Sequence, residues 1–399
     1  MIRSNILKKN ILMISTTHWD SKLWFRRQHF AHRFAQAGWK VLYINPSFTC
    51  LRPFIKNKSQ DLKPSMLFSF LFNRQIEENL NVVTLPPGIP LEGRIPQIKN
   101  VDKKICSYYI EKKARQFFNN EPYILICYNP FDIYYSMKNS SMVVYECVDD
   151  YTGDPGFSHI SNQIVEAERL LMKRADIVTA TAGSLKRKKQ AWNDNIAVIP
   201  NGVDFTQFSN HKQGDITPSD IEHIKHPIII YVGAIYEWFN YPLIMKMCEM
   251  HPEWSVVLIG PNKQLTQQKM PANLYYLGTK DWKELPGYLK MADVGIIPFI
   301  ENEYILNINP LKLYDYFAAG LSCVSSFMYE IKKYEEPYVL EIARNDADFI
   351  KALERNIGKK ECKLEKKLSI AKEHSWDSIF QTFCNLITSR WDMHKTDVE

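Results

Sequence analysis

Lys312 and Asp315 stand three residues apart in the stretch 308–320, Ile-Asn-Pro-Leu-Lys-Leu-Tyr-Asp-Tyr-Phe-Ala-Ala-Gly. That spacing puts an ammonium and a carboxylate on one face of a helix. An apolar run at 294–299 precedes them and reads as a buried strand. Asn309 is the expected N-cap and Pro310 the expected first helical residue. A strand, a loop and a helix started by proline leave backbone N–H groups and a positive dipole end at a sheet edge, where a phosphate can sit. A cation for a diphosphate beside a carboxylate for ribose hydroxyls is the pairing a nucleotide sugar needs. The same pattern also suits a plain amphipathic helix laying Leu311, Tyr314 and Ala318 on a sheet, so the rest of the chain decides between the two.

Other groups able to do chemistry sit where strand-like runs end. His18, Trp19 and Asp20 follow a first apolar run, with Arg26, Arg27 and Gln28 on the helix behind. Asp149 and Asp150 follow the run 143–147, and either carboxylate can accept a proton from an attacking hydroxyl or serve as a helix cap. Gly233 and Ala234 end a strand where a ligand can approach backbone N–H groups closely. No G-x-G-x-x-G follows the first strand, so a nicotinamide or flavin dinucleotide is not expected, and no cofactor is. His29 and His32 lie one helical turn apart without a third ligand, and no two of the eight cysteines have metal or redox spacing. No metal site is expected.

These groups need a scaffold that brings strand ends together, and the chain alternates short apolar runs with helical patterns throughout. Strands are expected at 10–15, 41–44, 82–85, 124–128, 143–147, 177–181 and 196–199, then at 228–232, 255–259, 274–277, 294–298, 322–325 and 339–342. Runs that are apolar on both faces imply parallel α/β sheets covered by helices. At 399 residues two such domains are expected, 1–205 and 206–375, with 209–225 as the linker. The amphipathic segment 376–399 is expected to pack back on the first domain. Residues 47–74 break the rhythm, mixing Lys56, Lys58 and Lys63 with Leu67, Phe68, Phe70, Leu71 and Phe72. Residues 1–120 hold 20 Lys and Arg against 7 Asp and Glu, a net charge of +13, while the remainder is −7. A basic first part attracts phosphates, nucleic acid or an anionic membrane surface, and equally suits a solubilising basic face; no nucleic-acid recognition motif accompanies the charge. No signal-peptide core or membrane-spanning run is seen, so the expected place is the cytoplasm, with the inner face of the membrane as a peripheral site.

His18-Trp19-Asp20 with Arg27-Gln28, the segment 145–150, Pro200-Asn201-Gly202-Val203-Asp204, Gly233-Ala234-Ile235 with Trp238-Phe239, and the segment 309–316 recur in this order over nearly the whole chain. In them the chain resembles family 4-like (group 1) glycosyltransferases, in particular bacterial enzymes of exopolysaccharide and teichuronic-acid biosynthesis. The resemblance implies the GT-B fold, two Rossmann-like parallel-sheet domains facing a cleft. It implies a UDP- or GDP-sugar donor and a glycan or lipid-linked acceptor in cell-surface polysaccharide synthesis. On the donor side it implicates Gly233, Ala234, Asn307, Asn309, Lys312, Leu313 and Asp315, with Lys312 neutralising the diphosphate without a metal. On the acceptor side it implicates Trp19, Asp20 and Arg27, and as base Asp150 or Asp149, with His18 as competitor. Three positions depart from the family pattern: Asp315 stands for a ribose-binding glutamate, and Asn307 and Asn240 stand for acidic residues. Asn307 and Asp315 keep open a second reading, a non-catalytic nucleotide-sugar-binding partner of a synthesis complex. An epimerase of the same fold is a weaker rival.

Overall fold

Strands without a polar face must be covered on both sides, and that requirement shapes both halves of the chain. The computed structural model describes residues 9–47, 70–88, 96–153, 155–209, 217–263 and 270–396. They form two compact units. The first comprises Met1–Ala180, Lys186–Val198 and Phe383–Glu399, the second Thr181–Leu185 and Ile199–Thr382.

The first unit contains β1 (Asn10–Ile14), β2 (Lys40–Asn45), β3 (Arg74–Glu77), β4 (Leu80–Thr84), β5 (Tyr123–Cys127), β6 (Ser140–Cys147), β7 (Ile177–Ala180) and β8 (Ile196–Val198). Its helices are α1 (Arg26–Gln36), α2 (Pro96–Phe118) and α3 (Ser161–Arg174), and α4 (Gly183–Lys189) ends in it. The sheet order is β3-β4-β2-β1-β5-β6-β7-β8. Every pairing is parallel except the short edge pair β3–β4. β1 therefore lies between β2 and β5, a switch point in strand order, and a crevice opens beyond the carboxyl ends of such strands. Phe383 stacks on Phe30 of α1, ring centroids 4.9 Å apart, so the end of the last helix caps this unit's core.

The second unit begins with α5 (Phe205–Ser209). It continues through β9 (Ile228–Val232), α6 (Tyr241–Met250), β10 (Ser255–Ile259), β11 (Leu274–Tyr276), α7 (Leu285–Met291), β12 (Val294–Ile297), α8 (Glu303–Leu306) and α9 (Leu311–Ala318). β13 (Ser322–Ser326), β14 (Leu340–Ala343), α10 (Asp346–Asn356), α11 (Leu364–Glu373) and the start of α12 (Trp376–Thr396) complete it. The order β11-β10-β9-β12-β13-β14 is parallel throughout. Its switch point lies between β9 and β12.

One expectation changes, one falls mostly outside the described residues, and one strand was not expected. Most of the basic-apolar segment 47–74, with Lys56, Lys58, Lys63, Leu67 and Phe68, lies outside the described residues. The described part of 209–225 is not a linker: Ile221 is fully buried and Ile224 nearly so in the second unit's core, because apolar residues three apart share one helical-turn face. The edge strand β3 escaped detection because Arg74-Gln75-Ile76-Glu77 has little apolar alternation.

Candidate functional site

Lys312 occupies the second position of α9, which follows β12 and the short α8. The helix begins one residue later than expected. Pro310 is the N-cap, with φ −76° and ψ 117°, because Asn309 is engaged elsewhere. The Asn309 amide donates to the Tyr314 hydroxyl at 3.0 Å. Its side-chain oxygen accepts the Asn201 backbone N–H at 3.1 Å, and its carbonyl accepts the Asn201 amide at 2.8 Å. Asn309 thus ties the 200–204 turn to α9 instead of capping it. The Lys312 ammonium lies 4.5 Å from the Phe299 ring centroid and 5.2 Å from that of Tyr231, over the ends of β12 and β9. Half-buried by area yet enclosed by these rings, it is depressed by burial to about 8, against the pull of Asp315. Asp315, also half-buried, is pushed up to about 7 by burial, with Lys312 opposing and Asp204 adding to the rise. Among the described residues neither makes an ion pair within the 4.0 Å limit. Their charges act on each other without forming an ion pair.

Gly233 forms the other wall. Its φ of +151° and its position leave no room for a side chain: a Cβ would lie 2.9 Å from Lys312 Cε. Gly260 backs it, with a Cβ position only 2.0 Å from the Gly233 carbonyl oxygen. Ala234 follows, its carbonyl accepting the Tyr231 hydroxyl at 2.7 Å. Two expected donor residues serve the scaffold. Leu313 is fully buried in the core, and Asn307 donates its amide to the Glu303 carbonyl at 2.7 Å, closing the end of α8.

In the first unit, Asp150 has the clearest role, and it is structural. It is 3% exposed. Its oxygens accept Lys188 Nζ at 2.7 Å and Thr152 Oγ1 at 2.7 Å, and Lys189 Nζ lies 3.7 Å away. Burial opposes its ionisation, but these partners outweigh it and hold the carboxyl below its ordinary value. A carboxylate so held is a weak proton acceptor. Asp149 and His18 are half-exposed at the carboxyl ends of β6 and β1. Trp19 is buried, its ring against Tyr43 and Trp24, each 5.3 Å away. Asp20 pairs with Arg74 at 2.8 Å on the surface. Trp19 thus packs into the loop, while Asp20 stays at its surface. Arg27 is buried beside Tyr128.

With that geometry in hand, residues 217–374 match the family model for glycosyl transferases group 1. The chain carries a group 1 glycosyltransferase domain. The Bacillus subtilis (strain 168) protein named as teichuronic acid biosynthesis glycosyltransferase TuaH is 27% identical over 270 residues, 63% of this chain and 68% of that relative. Sucrose-phosphate synthase from Thermosynechococcus elongatus superposes with a TM-score of 0.70 at 12% identity, covering 96% of this chain and 99% of that one. Anabaena HepE, solved in complex with UDP and glucose, gives 0.64 at 13%, covering 95% and 99%. At such identities the structural likeness shows the fold, which is GT-B: two parallel-sheet units. Gly233, Lys312 and Asp315 all fall inside the matched glycosyltransferase domain.

That domain also relies on residues the sequence reading passed over. The Tyr316 hydroxyl accepts the Val232 N–H and donates to the Ile296 carbonyl, both at 3.1 Å, pinning β9 to β12 directly beneath the site. Gly295 makes room for it, since a Cβ there would lie 2.5 Å from the ring. His374 stacks on Tyr314 at 4.4 Å and accepts or donates to the Tyr334 hydroxyl at 3.0 Å, while its carbonyl receives the Val203 N–H at 2.9 Å. A tyrosine on an apolar helix face carries no signal of the bond its hydroxyl will make. Gly295 within an otherwise apolar strand was the one available hint.

Proposed function

We propose that the protein transfers a sugar from a nucleotide-diphosphate sugar, UDP- or GDP-linked, to a hydroxyl of a glycan or lipid-linked acceptor in cell-surface polysaccharide synthesis. The observation that carries this is Lys312: an ammonium in no ion pair among the described residues, in the first turn of a helix, against a glycine wall at the sheet's switch point. Loss of the nucleoside diphosphate builds negative charge, which Lys312 and the α9 N-terminus are placed to stabilise. Asp315, one turn on, is the ribose contact. The acceptor hydroxyl gives its proton to Asp149 or His18, half-exposed at the carboxyl ends of β6 and β1. The HepE complex supports a uridine nucleotide, and the B. subtilis relative supports a cell-wall glycan.

The test is binding of UDP and GDP and of their sugars by calorimetry. Free Lys312 titrates near 8, and a bound diphosphate raises that value. Complex formation at about pH 8, where Asp315 has mostly ionised, should therefore take up close to half a proton per site. The uptake appears as a dependence of binding enthalpy on buffer ionisation enthalpy and should vanish in Lys312→Met. Absence of binding by every nucleotide diphosphate, or binding without proton uptake, would refute the donor site.

A peripheral membrane site belongs to the same proposal. No described helix is long and apolar enough to cross a membrane. Leu71 and Phe72 are exposed, and α2 bares Val101, Ile105 and Tyr108 on one face beside exposed Lys104 and Lys112. An apolar stripe among lysines suits an anionic bilayer surface. The chain should float with phosphatidylglycerol vesicles and stay behind with phosphatidylcholine ones, and equal recovery from both would reject the membrane site.

A further inference from the structure

Arg27 is the second residue of α1 and reaches the crevice side of β1 and β5. It is 8% exposed. Its guanidinium carbon lies 5.0 Å from the Tyr128 ring centroid, and Nη1 donates to Thr17 Oγ1 at 3.2 Å. Among the described residues this is its one side-chain hydrogen bond, and no carboxylate comes within 4.0 Å. Nε is sealed from solvent without an acceptor. The adjacent Arg26 shows what such an edge ordinarily does: its Nε and Nη2 hold the two oxygens of Glu146, at 2.5 and 3.2 Å. The same edge of Arg27 has no acceptor.

A second donor lies close by. The Tyr128 hydroxyl is buried without a partner, and both Arg26 and Arg27 act on it electrostatically. The nearby carboxyl of Asp132 is occupied, one oxygen accepting the Tyr128 and Asn129 N–H groups at 3.1 and 3.0 Å. Burial pushes it up to about 7, so it supplies Arg27 with only part of a counter-charge at neutrality. A buried guanidinium whose Nε is sealed without an acceptor is costly unless an anion arrives from outside. The strand-order switch at β1 puts this edge where α/β sheets take their ligands.

We propose that Arg27, with the Tyr128 hydroxyl, is the seat of an oxyanion on the acceptor, a carboxylate or a phosphate group. This rests on the transferase reading only in calling the ligand an acceptor. A guanidinium edge suits either anion, because both offer two oxygens at matching spacing.

The experiment uses the full chain saturated with UDP, so that Lys312 is covered. D-glucuronate, inorganic phosphate and neutral methyl glucoside are then titrated at constant ionic strength, with the thermal midpoint as readout. A saturable rise is expected with one or both anions and none with the glycoside. Glucuronate alone would identify a carboxylate, phosphate alone a phosphate group. Arg27→Gln should weaken the response about tenfold or more, the loss of one charge-assisted pair, and Arg27→Lys less. The UDP response itself should be unchanged in Arg27→Gln. Should UDP fail to bind the parent chain, GDP takes its place, and should neither bind, the donor reading falls and the anion titration is read without nucleotide. Tyr128→Phe, which keeps the ring, provides a second weakened variant should Arg27→Gln not fold. No anion response in the parent chain, an equal response to methyl glucoside, or an unchanged response in the variants would overturn the proposal.

Discussion

Lys312→Met should lower kcat/KM for the nucleotide-sugar donor by roughly 10²–10³-fold, the usual consequence of removing one preorganised charge from a developing anion. Methionine keeps the aliphatic stem against Phe299 and Tyr231 and removes only the ammonium. Stability should not fall with it. The folded-state value of Lys312 is lowered from 10.5 to about 8, so the folded chain resists a proton that the unfolded chain accepts. Stability is therefore lost as pH drops from 10.5 towards 8 and stays lost below, and at neutrality the neutral methionine relieves that penalty. Activity and stability thus move apart, which distinguishes a functional lysine from a structural one. Initial rates of nucleoside-diphosphate release and urea midpoints measure the two. A loss under tenfold would place the charge stabilisation elsewhere, and a marked drop in the urea midpoint would make Lys312 a packing residue.

Lys312 was legible in the sequence because its neighbours set its place. An apolar strand, a proline and a three-residue interval to Asp315 are local signals, and all fall within one βα unit. The parallel sheets were legible for the same reason: β1, β5, β9 and β10 are apolar on both faces, which only burial between helices explains. What local signals do not carry is which polar side chain finds a distant partner. Asn309 has the type of an N-cap, yet Asn201, 108 residues away, takes its side chain and shifts the helix start. Leu313 follows Lys312 in the motif, but helical geometry turns it into the core. Asp149 and Asp150 were indistinguishable as a pair of carboxylates. The lysines that claim Asp150 come from α4, 38 and 39 residues downstream, and a motif read in isolation does not reach that far.

Those lysines carry the largest expected effect on stability. Lys189→Met should destabilise the chain by about 3–5 kcal/mol, the range seen when one partner of a buried ion pair is removed. Lys189 is 2% exposed, and its ammonium bonds Glu168, which is fully buried, and lies 3.7 Å from Asp150. Glu168 holds two further donors on its other oxygen, the Tyr145 hydroxyl at 2.9 Å and the Cys147 thiol at 3.6 Å. Asp150 survives the substitution with Lys188 at 2.7 Å. Glu168 does not, because a phenol and a thiol are weak compensation for a buried charge. Adding Glu168→Gln should recover much of the loss, since removing both charges leaves neither stranded. Urea denaturation of the single and double variants reads both effects, and a single-variant loss under about 1 kcal/mol would show the pair to be solvated and dispensable. The same network anchors the loop after β6, from Asp149 to Gly153, to α3 and α4. Lys189→Met should accordingly raise KM for the acceptor more than for the donor, since the donor residues belong to the other unit.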